Sequence, residues 1–326
     1  MKNLFPALMK DSRRSLYLPF SLGHFANDFV PCSVVVLAPA IALEMGLNPM
    51  EVGLLLTLHS LGSALGYFPS GLVADSFRNR GNLLMLTFWW VGLGYLLASW
   101  APGFWSLTFL FALAGCGDAA WHPLATAILV QSEPQNRGQV LGIHAIGGTL
   151  AAVIGPVVVG FLLGYMDWRE TLHWIILPTL LVGVLFLWIR KWVPEQTQRN
   201  TFSKVDLKHL WKSWTKKRGI LIICLISNYH MSLVAMMSMI PLYLREFHGL
   251  SSAMTGLAFG MMVLFGAFMQ PLMGRISDRV GRRRVIFIGI AIAAVCSFMI
   301  PILEDHSMMK IWARPWLYGV LTLAHI

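Results

Sequence analysis

The chain has 326 residues, of which 56% are hydrophobic and only 12% are charged, and its mean hydropathy is +0.65. A soluble domain carries about twice that share of charged residues, so the composition indicates a membrane protein. The formal net charge is +10. Because most Lys and Arg fall on one face of the predicted spans, this charge does not require a nucleic-acid partner.

Long apolar runs recur along the whole sequence. A membrane-spanning helix needs about 20 predominantly apolar residues, and nine runs meet this requirement. They cover roughly 16–43, 51–72, 82–101, 104–131, 138–166, 171–193, 219–244, 252–274 and 285–303. A tenth run begins near Trp312 and stops at Ile326, too early to cross a bilayer, so we expect a truncated tenth span. The predicted fold class is an all-α polytopic membrane protein.

Basic residues set the predicted orientation. If successive loops alternate between the two faces, all but four Lys and Arg lie on the face of the N-terminus; the four are Arg169, Arg245, Lys310 and Arg314. The excess of Lys and Arg in cytoplasmic loops therefore predicts a cytoplasmic N-terminus. The first span contains Asn27 and Asp28 and has no cleavage pattern, so it is expected to remain in the mature protein. A bacterial inner membrane is the expected location.

Ionisable residues occur inside two predicted spans. The first span carries His24, Asn27 and Asp28 at i, i+3 and i+4, and the fourth carries Asp118 and His122 at i and i+4. Each spacing puts its residues on one helical face. Ionisable side chains inside a bilayer are costly and usually face a cavity where they have a function. These two Asp/His sets are the predicted functional centre.

Several interpretations of this centre remain open. A desolvated Asp could exchange a proton, which would couple transport to protons, or the Asp and His could bind a charged substrate directly. A structural interpretation is that Asn27 and Asp28 bond neighbouring helices and backbone opened by Pro31 and Pro39. The His and Asp side chains are chemically suitable metal ligands, but no further signature accompanies them. We predict no metal and no cofactor. Isolated His59 and His144 are interpreted as packing residues.

A polar segment separates two groups of spans. Pro194 ends the sixth span, and residues 194–218 form the predicted linker. The second part of the linker has apolar residues at helical spacing opposite a Lys-rich face, which predicts a basic amphipathic helix on the inner membrane surface; a regulatory protein-binding segment is the alternative. Residues 1–193 form a six-helix half, and residues 219–326 an incomplete second half of about three and a half helices.

A loop pattern occurs once in each half. The segments are GLVADSFRNRG at 71–81 and GRISDRVGRRR at 274–284, and each follows one long apolar run and precedes another. A repeated loop at equivalent positions indicates a repeated set of helices, the architecture of many secondary transporters.

The second loop resembles the signature loop of the major facilitator superfamily. It matches at every position of that signature: Gly274, Asp278, Arg279, Gly281, Arg282 and Arg283. The first loop keeps Gly71 and Asp75 but has Ser76 and Arg78 where the signature has a basic residue and a glycine. The resemblance implies a pseudo-two-fold helical bundle, with a complete N-terminal half. It also implies that Asp75 and Asp278 stabilise one of two alternating states at the cytoplasmic side.

A closer resemblance is to the fosmidomycin-resistance-like branch of that superfamily. It is carried by SLGHFANDF at 21–29, GCGDAAWHP at 115–123, GGTLAAVIGP at 147–156 and SNYHMS at 227–232. The resemblance implies twelve spans, with the first and fourth helices lining a central cavity that Tyr229 and His230 line from the other half. Leu124 stands where members of this branch carry a Glu.

The fifth span is rich in small residues, including Gly147, Gly148, Gly155 and Pro156. This pattern is similar to that of drug and proton antiporters in the superfamily, where it is thought to prevent leakage through the cavity. A close helix-packing seam with a proline kink explains the pattern equally well.

The sequence as a whole predicts a transporter that exports a small organic compound in exchange for protons. Proton-coupled uptake of an organic acid or a sugar-like solute is the first alternative, and a non-transporting membrane sensor or scaffold is the second. An enzyme is not expected, because no nucleophile and base set or cofactor motif accompanies the Asp/His residues. The expected partners are a small-molecule substrate, protons and the lipid bilayer.

Overall fold

The computed structural model describes residues 16–135, 137–196 and 204–302, and this part of the chain is almost entirely helical. We number its α-helices in chain order. They are α1 (Tyr17–Asp28), α2 (Val34–Met45), α3 (Pro49–Ser76), α4 (Arg80–Ser99), α5 (Phe104–Ser132), α6 (Arg137–Leu162), α7 (Trp168–Ile175), α8 (Leu177–Ile189), α9 (Lys204–Trp214), α10 (Lys217–Glu246), α11 (Ser252–Val280) and α12 (Arg282–Ile302).

The helices agree with the predicted spans. Among the described residues, seven spans are long and apolar enough to cross a membrane, and the bent pair α1 and α2 makes an eighth. The ninth predicted span coincides with the 21-residue helix α12. The tenth, which would begin near Trp312, lies outside the described residues. The prediction of an all-α polytopic membrane protein is therefore confirmed.

The first predicted span is one segment in the sequence but two helices in the structure. Between α1 and α2 lies a short 3-10 turn, Pro31–Ser33, and the two helix axes differ by 40°. Pro31 has no backbone N–H to continue the hydrogen-bond ladder, so the chain bends immediately after Asp28. The sixth predicted span is interrupted in the same way, since α7 and α8 meet just before Pro178.

The described helices pack around two clusters of buried side chains. One cluster is aromatic and lies between α1, α4, α5 and α8, with Trp121 fully buried against Phe20, Phe88 and Phe186. Helix α6 packs along α1 on one side and along α11 on the other. Helix α10 packs against α2. Helix α6 therefore belongs to the first predicted half and also contacts the second.

Arg169 of α7 forms hydrogen bonds with residues of α2 and α4 at the end of α4. Its guanidinium donates from Nη1 to the carbonyl oxygens of Ser99 at 2.8 Å and Ala101 at 3.2 Å, and from Nε to Oε1 of Glu44 at 3.1 Å. The group also lies 4.2 Å from the ring centroid of Trp168. The carbonyls at a helix end lack intrahelical partners, so Arg169 satisfies two groups that would otherwise rely on solvent.

Replacing Arg169 with Ala is expected to lower the free energy of unfolding by about 1–2 kcal/mol, because hydrogen bonds to a charged donor are lost at a partly exposed site. Arg169→Lys should lose almost as much, since an ammonium group cannot reproduce the planar fork. The exposed Lys191→Ala serves as control. Thermal unfolding of the purified protein measures the change, and equal melting temperatures for all three variants would contradict the assigned role.

Candidate functional site

The two predicted Asp/His sets come together where α1 crosses α5. On α1, Nε2 of His24 lies 3.2 Å from Oδ2 of Asp28. From α5, Nε2 of His122 lies 3.6 Å from the other carboxylate oxygen, Oδ1, of Asp28. The imidazoles of both helices therefore converge on a single carboxylate. All three side chains are mostly buried, with 14–21% of their surface exposed.

Asn27 connects the two carboxylates. Its Nδ2 donates to Oδ1 of Asp118 at 2.5 Å and to the Asp118 backbone carbonyl at 3.1 Å, and it also approaches Oδ1 of Asp28 at 3.3 Å. Asn27 is fully buried, and Asp118 is 9% exposed. Because buried polar groups are costly unless they are bonded, this amide fixes the distance between the two acids.

The hydrogen bonds of His24 determine where its protons lie. Nδ1 of His24 is 2.9 Å from the backbone carbonyl oxygen of His144. A carbonyl only accepts hydrogen bonds, so Nδ1 must carry a hydrogen. A hydrogen bond between Nε2 and Oδ2 of Asp28 then needs one more proton, carried either by the imidazole or by the carboxyl group. The pair is thus arranged to hold one exchangeable proton.

Two aromatic side chains that the sequence did not assign to the functional centre complete the cluster. The His144 ring of α6 stacks on His24, with centroids 4.2 Å apart and planes 21° apart. The Tyr67 ring of α3 stacks on His122 at 5.7 Å, with planes 11° apart. His144 had been interpreted as a packing residue, and its ring does pack. Helical spacing within one segment could not have found either contact, because each depends on the register between two helices.

Small residues on α6 allow this close approach. A Cβ added at Gly147 would overlap the backbone carbonyl oxygen of Ser21 on α1, and one added at Gly148 would meet the His24 ring. Further along, Gly155 lies against Phe29 and Ser33, and the carbonyl of Pro156 lies against Gly256 of α11. The predicted glycine-rich segment is therefore in close contact with α1 and α11.

The two predicted residues of the seventh span lie on α10. Tyr229 is half-buried and His230 is exposed, and their ring centroids are 5.2 Å apart. The contacts of the Asp28 cluster given above come from α1, α3, α5 and α6. The family resemblance implies that Tyr229 and His230 line the central cavity from the other half, and that role remains a prediction.

The second signature loop joins α11 to α12. Gly281 has φ of 99°, a conformation that residues with a Cβ rarely adopt, so glycine is required at this junction. Arg279 is exposed, and the guanidinium of Arg283 lies 5.8 Å from the Phe287 ring centroid. Gly274 and Asp278 belong to the last turns of α11 and Arg282 begins α12, but the Asp278 and Arg282 side chains lie outside the described part.

The first signature loop begins in the last turns of α3, which contain Gly71 and Asp75. The Asp75 side chain also lies outside the described part. The basic residues of this loop contact the segment after α8. Nε of Arg78 lies 2.7 Å from Oε2 of Glu195, and the buried Arg80 donates to Oε1 of Gln131 at 2.6 Å and to the Pro194 carbonyl at 3.3 Å. In this copy the basic residues hold the start of the linker against α4 and α5.

The nitrogen and oxygen atoms of His24, Asp28 and His122 lie within 4.8 Å of one another. His24 lies within hydrogen-bond distance of Asp28 at 3.2 Å, whereas His122 approaches the other carboxylate oxygen at 3.6 Å, the distance of an ion pair when the imidazole is protonated. We therefore describe the group as an Asp/His cluster.

Comparison with known proteins agrees with this architecture. The sequence profile of the Major Facilitator Superfamily matches residues 20–324. A probable 4-methylmuconolactone transporter of Cupriavidus pinatubonensis (strain JMP 134 / LMG 1197) is 25% identical, over 82% of this chain and 62% of its own length. The fosmidomycin resistance protein of Escherichia coli (strain K12) is 22% identical, over 88% of this chain and 70% of its own length. The chain thus spans less than two thirds of the first of these relatives.

A solved structure shares the fold. The crystal structure of a bacterial homologue of the human lysosomal transporter Spinster superposes with a TM-score of 0.74 at 20% identity, covering 97% of this chain and 73% of that one. The predicted family and fold class are confirmed. On these grounds the chain belongs to the Major Facilitator Superfamily, as a multi-pass membrane protein of a transporter family.

Proposed function

We propose that this protein exports a small organic compound in exchange for protons, and that Asp28 carries the proton. The observation that supports this most strongly is the convergence of His24 and His122, from two different helices, on the Asp28 carboxylate. A proton held in this cluster can lie on the carboxyl group or on an imidazole, and in the second case the resulting ion pair limits the cost of burying the two charges.

Asp118 is proposed as the second acid of the centre. Asn27 holds it beside Asp28, and two ionised carboxylates at such short range would repel each other strongly in a buried environment. One proton shared within the pair removes this repulsion. The pair can therefore change between a loaded and an unloaded form by exchange of a single proton, which is the requirement for coupling.

Coupling also requires a change of access to the site. We propose that residues 1–193 and 219–326 belong to two halves that rock about the centre, joined by the linker 194–218, with the loops of Asp75 and Asp278 gating the cytoplasmic face. Helix α6 contacts α1 beside His24 and contacts α11 through Gly160 and Gly256. Helix α6 is therefore the element through which a change in the protonation of the centre could act on the second half.

Exchange makes a specific demand on the substrate. The proton and the compound must exclude one another at Asp28, so the compound should bind best when Asp28 is ionised. A cationic group, or a group that donates hydrogen bonds, satisfies this condition. Tyr67 and His122 offer the flat faces on which an aromatic or apolar part of such a compound can pack.

The second candidate function is proton-coupled uptake of an organic acid. If a proton neutralised Asp28, the two Nε2 groups that face it could donate to an anionic group of a substrate instead, so that proton and anion would bind together. A relative in Cupriavidus necator (strain ATCC 17699 / DSM 428 / KCTC 22496 / NCIMB 10442 / H16 / Stanier 337) is named a probable sulfoacetate transporter, and it is 26% identical over 79% of this chain.

The sign of the linkage between proton and compound separates the two candidates. Fosmidomycin, a lipophilic cation, an organic acid and a sugar would each be titrated into the purified protein by calorimetry, in buffers of different ionisation enthalpy. Exchange predicts that binding releases a proton and becomes tighter as the pH rises. Cotransport predicts that binding takes up a proton and becomes weaker as the pH rises. Binding heats that do not depend on the buffer would contradict both.

A further inference from the structure

A second series of polar side chains extends from the Asp118 cluster toward the end of α4. Nε2 of His59 lies 2.7 Å from the hydroxyl oxygen of Tyr95. Nearer the helix end, Oγ of Ser99 lies 2.7 Å from Nε2 of His173. The proposed centre uses neither pair. Each pair consists of one imidazole and one hydroxyl group, which can both donate and accept hydrogen bonds.

Burial makes these pairs costly to retain. Tyr95 and Ser99 have no exposed surface, and both belong to a helix that spans the membrane. Buried polar groups are costly unless they are hydrogen-bonded. Packing alone would be served by Phe at position 95, because the Tyr95 ring already contacts Phe111 with centroids 5.4 Å apart. The hydroxyl group therefore needs an explanation beyond shape.

The two pairs lie one after the other along α4. Tyr95 and Ser99 are four residues apart on α4 and so share one helical face. His59 lies against Gly115 of α5, and Asp118 follows Gly115 by three residues, about 4.5 Å along the helix axis. The two pairs thus follow one another along one face of α4, and His59 of the inner pair lies against α5 one turn before Asp118.

Tight packing of α3 on α5 holds His59 in this series. Each Cβ added at Gly62 or Gly66 of α3 would overlap the backbone of α5, at Ala112 and Cys116 respectively. The two helices run parallel through these contacts, since both residue numbers increase together. Ser63, one turn from His59, lies against the same Gly115. The register leaves little freedom for His59 to move away from α5.

We propose that the His173–Ser99 and His59–Tyr95 pairs conduct protons between Asp118 and the membrane face on which α4 ends. The inference rests on the proposed function, in which Asp28 and Asp118 bind the transported proton. One proton enters at His173 and one is delivered to Asp118. Each hydroxyl or imidazole in between accepts one proton and passes one on, so its own protonation state is unchanged after the transfer. For Ser99 this requires the hydroxyl hydrogen to turn away from the Leu96 carbonyl oxygen, to which it donates at 2.6 Å.

The test is the charge displacement that follows a pH jump on vesicles of one orientation adsorbed to a solid-supported membrane, without any added compound. His59→Gln and Tyr95→Phe are expected to slow the displacement at least about tenfold when the jump is applied from the face where α4 ends. The total charge moved should stay unchanged, and so should the rate from the opposite face. The exposed His209→Gln and Tyr165→Phe are matched controls.

Failure of the inference can be told apart from failure of the proposed function. Equal rates in wild type, His59→Gln and Tyr95→Phe, with a total charge that falls in Asp28→Asn, would overturn the relay and keep the proton centre. An undiminished total charge in Asp28→Asn would overturn the proton centre and the relay with it. If a variant does not fold, the wild-type rate in D₂O decides: the relay predicts slower displacement, and an unchanged rate contradicts it.

Discussion

Replacing Asp28 with Asn is expected to abolish proton-linked transport in a protein that still folds and inserts. The amide has nearly the shape of the carboxyl group, but it cannot gain or lose a proton, and it has no charge to pair with a protonated His24 or His122. The proton-driven rate should fall by at least about 100-fold, since a positioned proton-transfer group contributes at this level or more. Asp118→Asn should act in the same direction because Asn27 links the two acids.

The measurement is uptake or release of labelled compound by proteoliposomes, with and without a pH gradient. Exchange of labelled for unlabelled compound, which needs no net proton movement, should persist in Asp28→Asn. Glu170→Gln is the matched control, because it removes an exposed carboxylate in the first turn of α7. Proton-driven rates that remain at the wild-type level in both Asp28→Asn and Asp118→Asn would remove the proposed centre.

Substitution of Gly147 by Ala is the second change for which we expect a large effect. The new Cβ would overlap the carbonyl oxygen of Ser21, a backbone atom that cannot rotate away as a side chain would. Helices α1 and α6 would have to separate, which also breaks the stacking of His24 on His144. Overpacking of this kind costs about 3 kcal/mol, so both the stability and the transport rate should fall.

Gly142 provides the control on the same helix. It is exposed, and a Cβ at this position would have no neighbour within 4 Å. Since Ala favours a helix by about 1 kcal/mol over Gly, Gly142→Ala should be neutral or slightly stabilising. Thermal unfolding and size-exclusion profiles of the two variants measure the difference. If Gly147→Ala and Gly142→Ala gave the same melting temperature and the same size-exclusion profile, the assigned close packing of α1 on α6 would be contradicted.

Periodicity predicted those parts of the site that lie within single helices. His24 and Asp28 share a face because they are four residues apart, and the same holds for Asp118 and His122. Their convergence on one carboxylate depends instead on the crossing of α1 and α5. The stacking of Tyr67 and His144 depends on the register of α3 and α6. Such contacts arise from packing in three dimensions, which a single sequence does not encode as a local pattern.

For the bends and loops, too, the sequence predicted local features but not the contacts between helices. Proline at position 31 was visible in the sequence, but the first span was expected to continue as one helix, and the structure breaks it at that point. The signature loops were found by their residues alone. That Arg78 and Arg80 bind the segment around Pro194 and Glu195 could not be predicted, because it requires the end of α8 to lie beside the start of α4.

The central claim is that a compound and a proton are moved by one centre. The most direct measurement is proton movement into proteoliposomes containing the purified protein and a trapped pH-sensitive dye, while phosphonates, lipophilic drugs, organic acids and sugars are added in turn. One class of compound is expected to drive proton movement, and Asp28→Asn should remove that movement. Transport of a compound with no accompanying proton movement would overturn the proposed coupling.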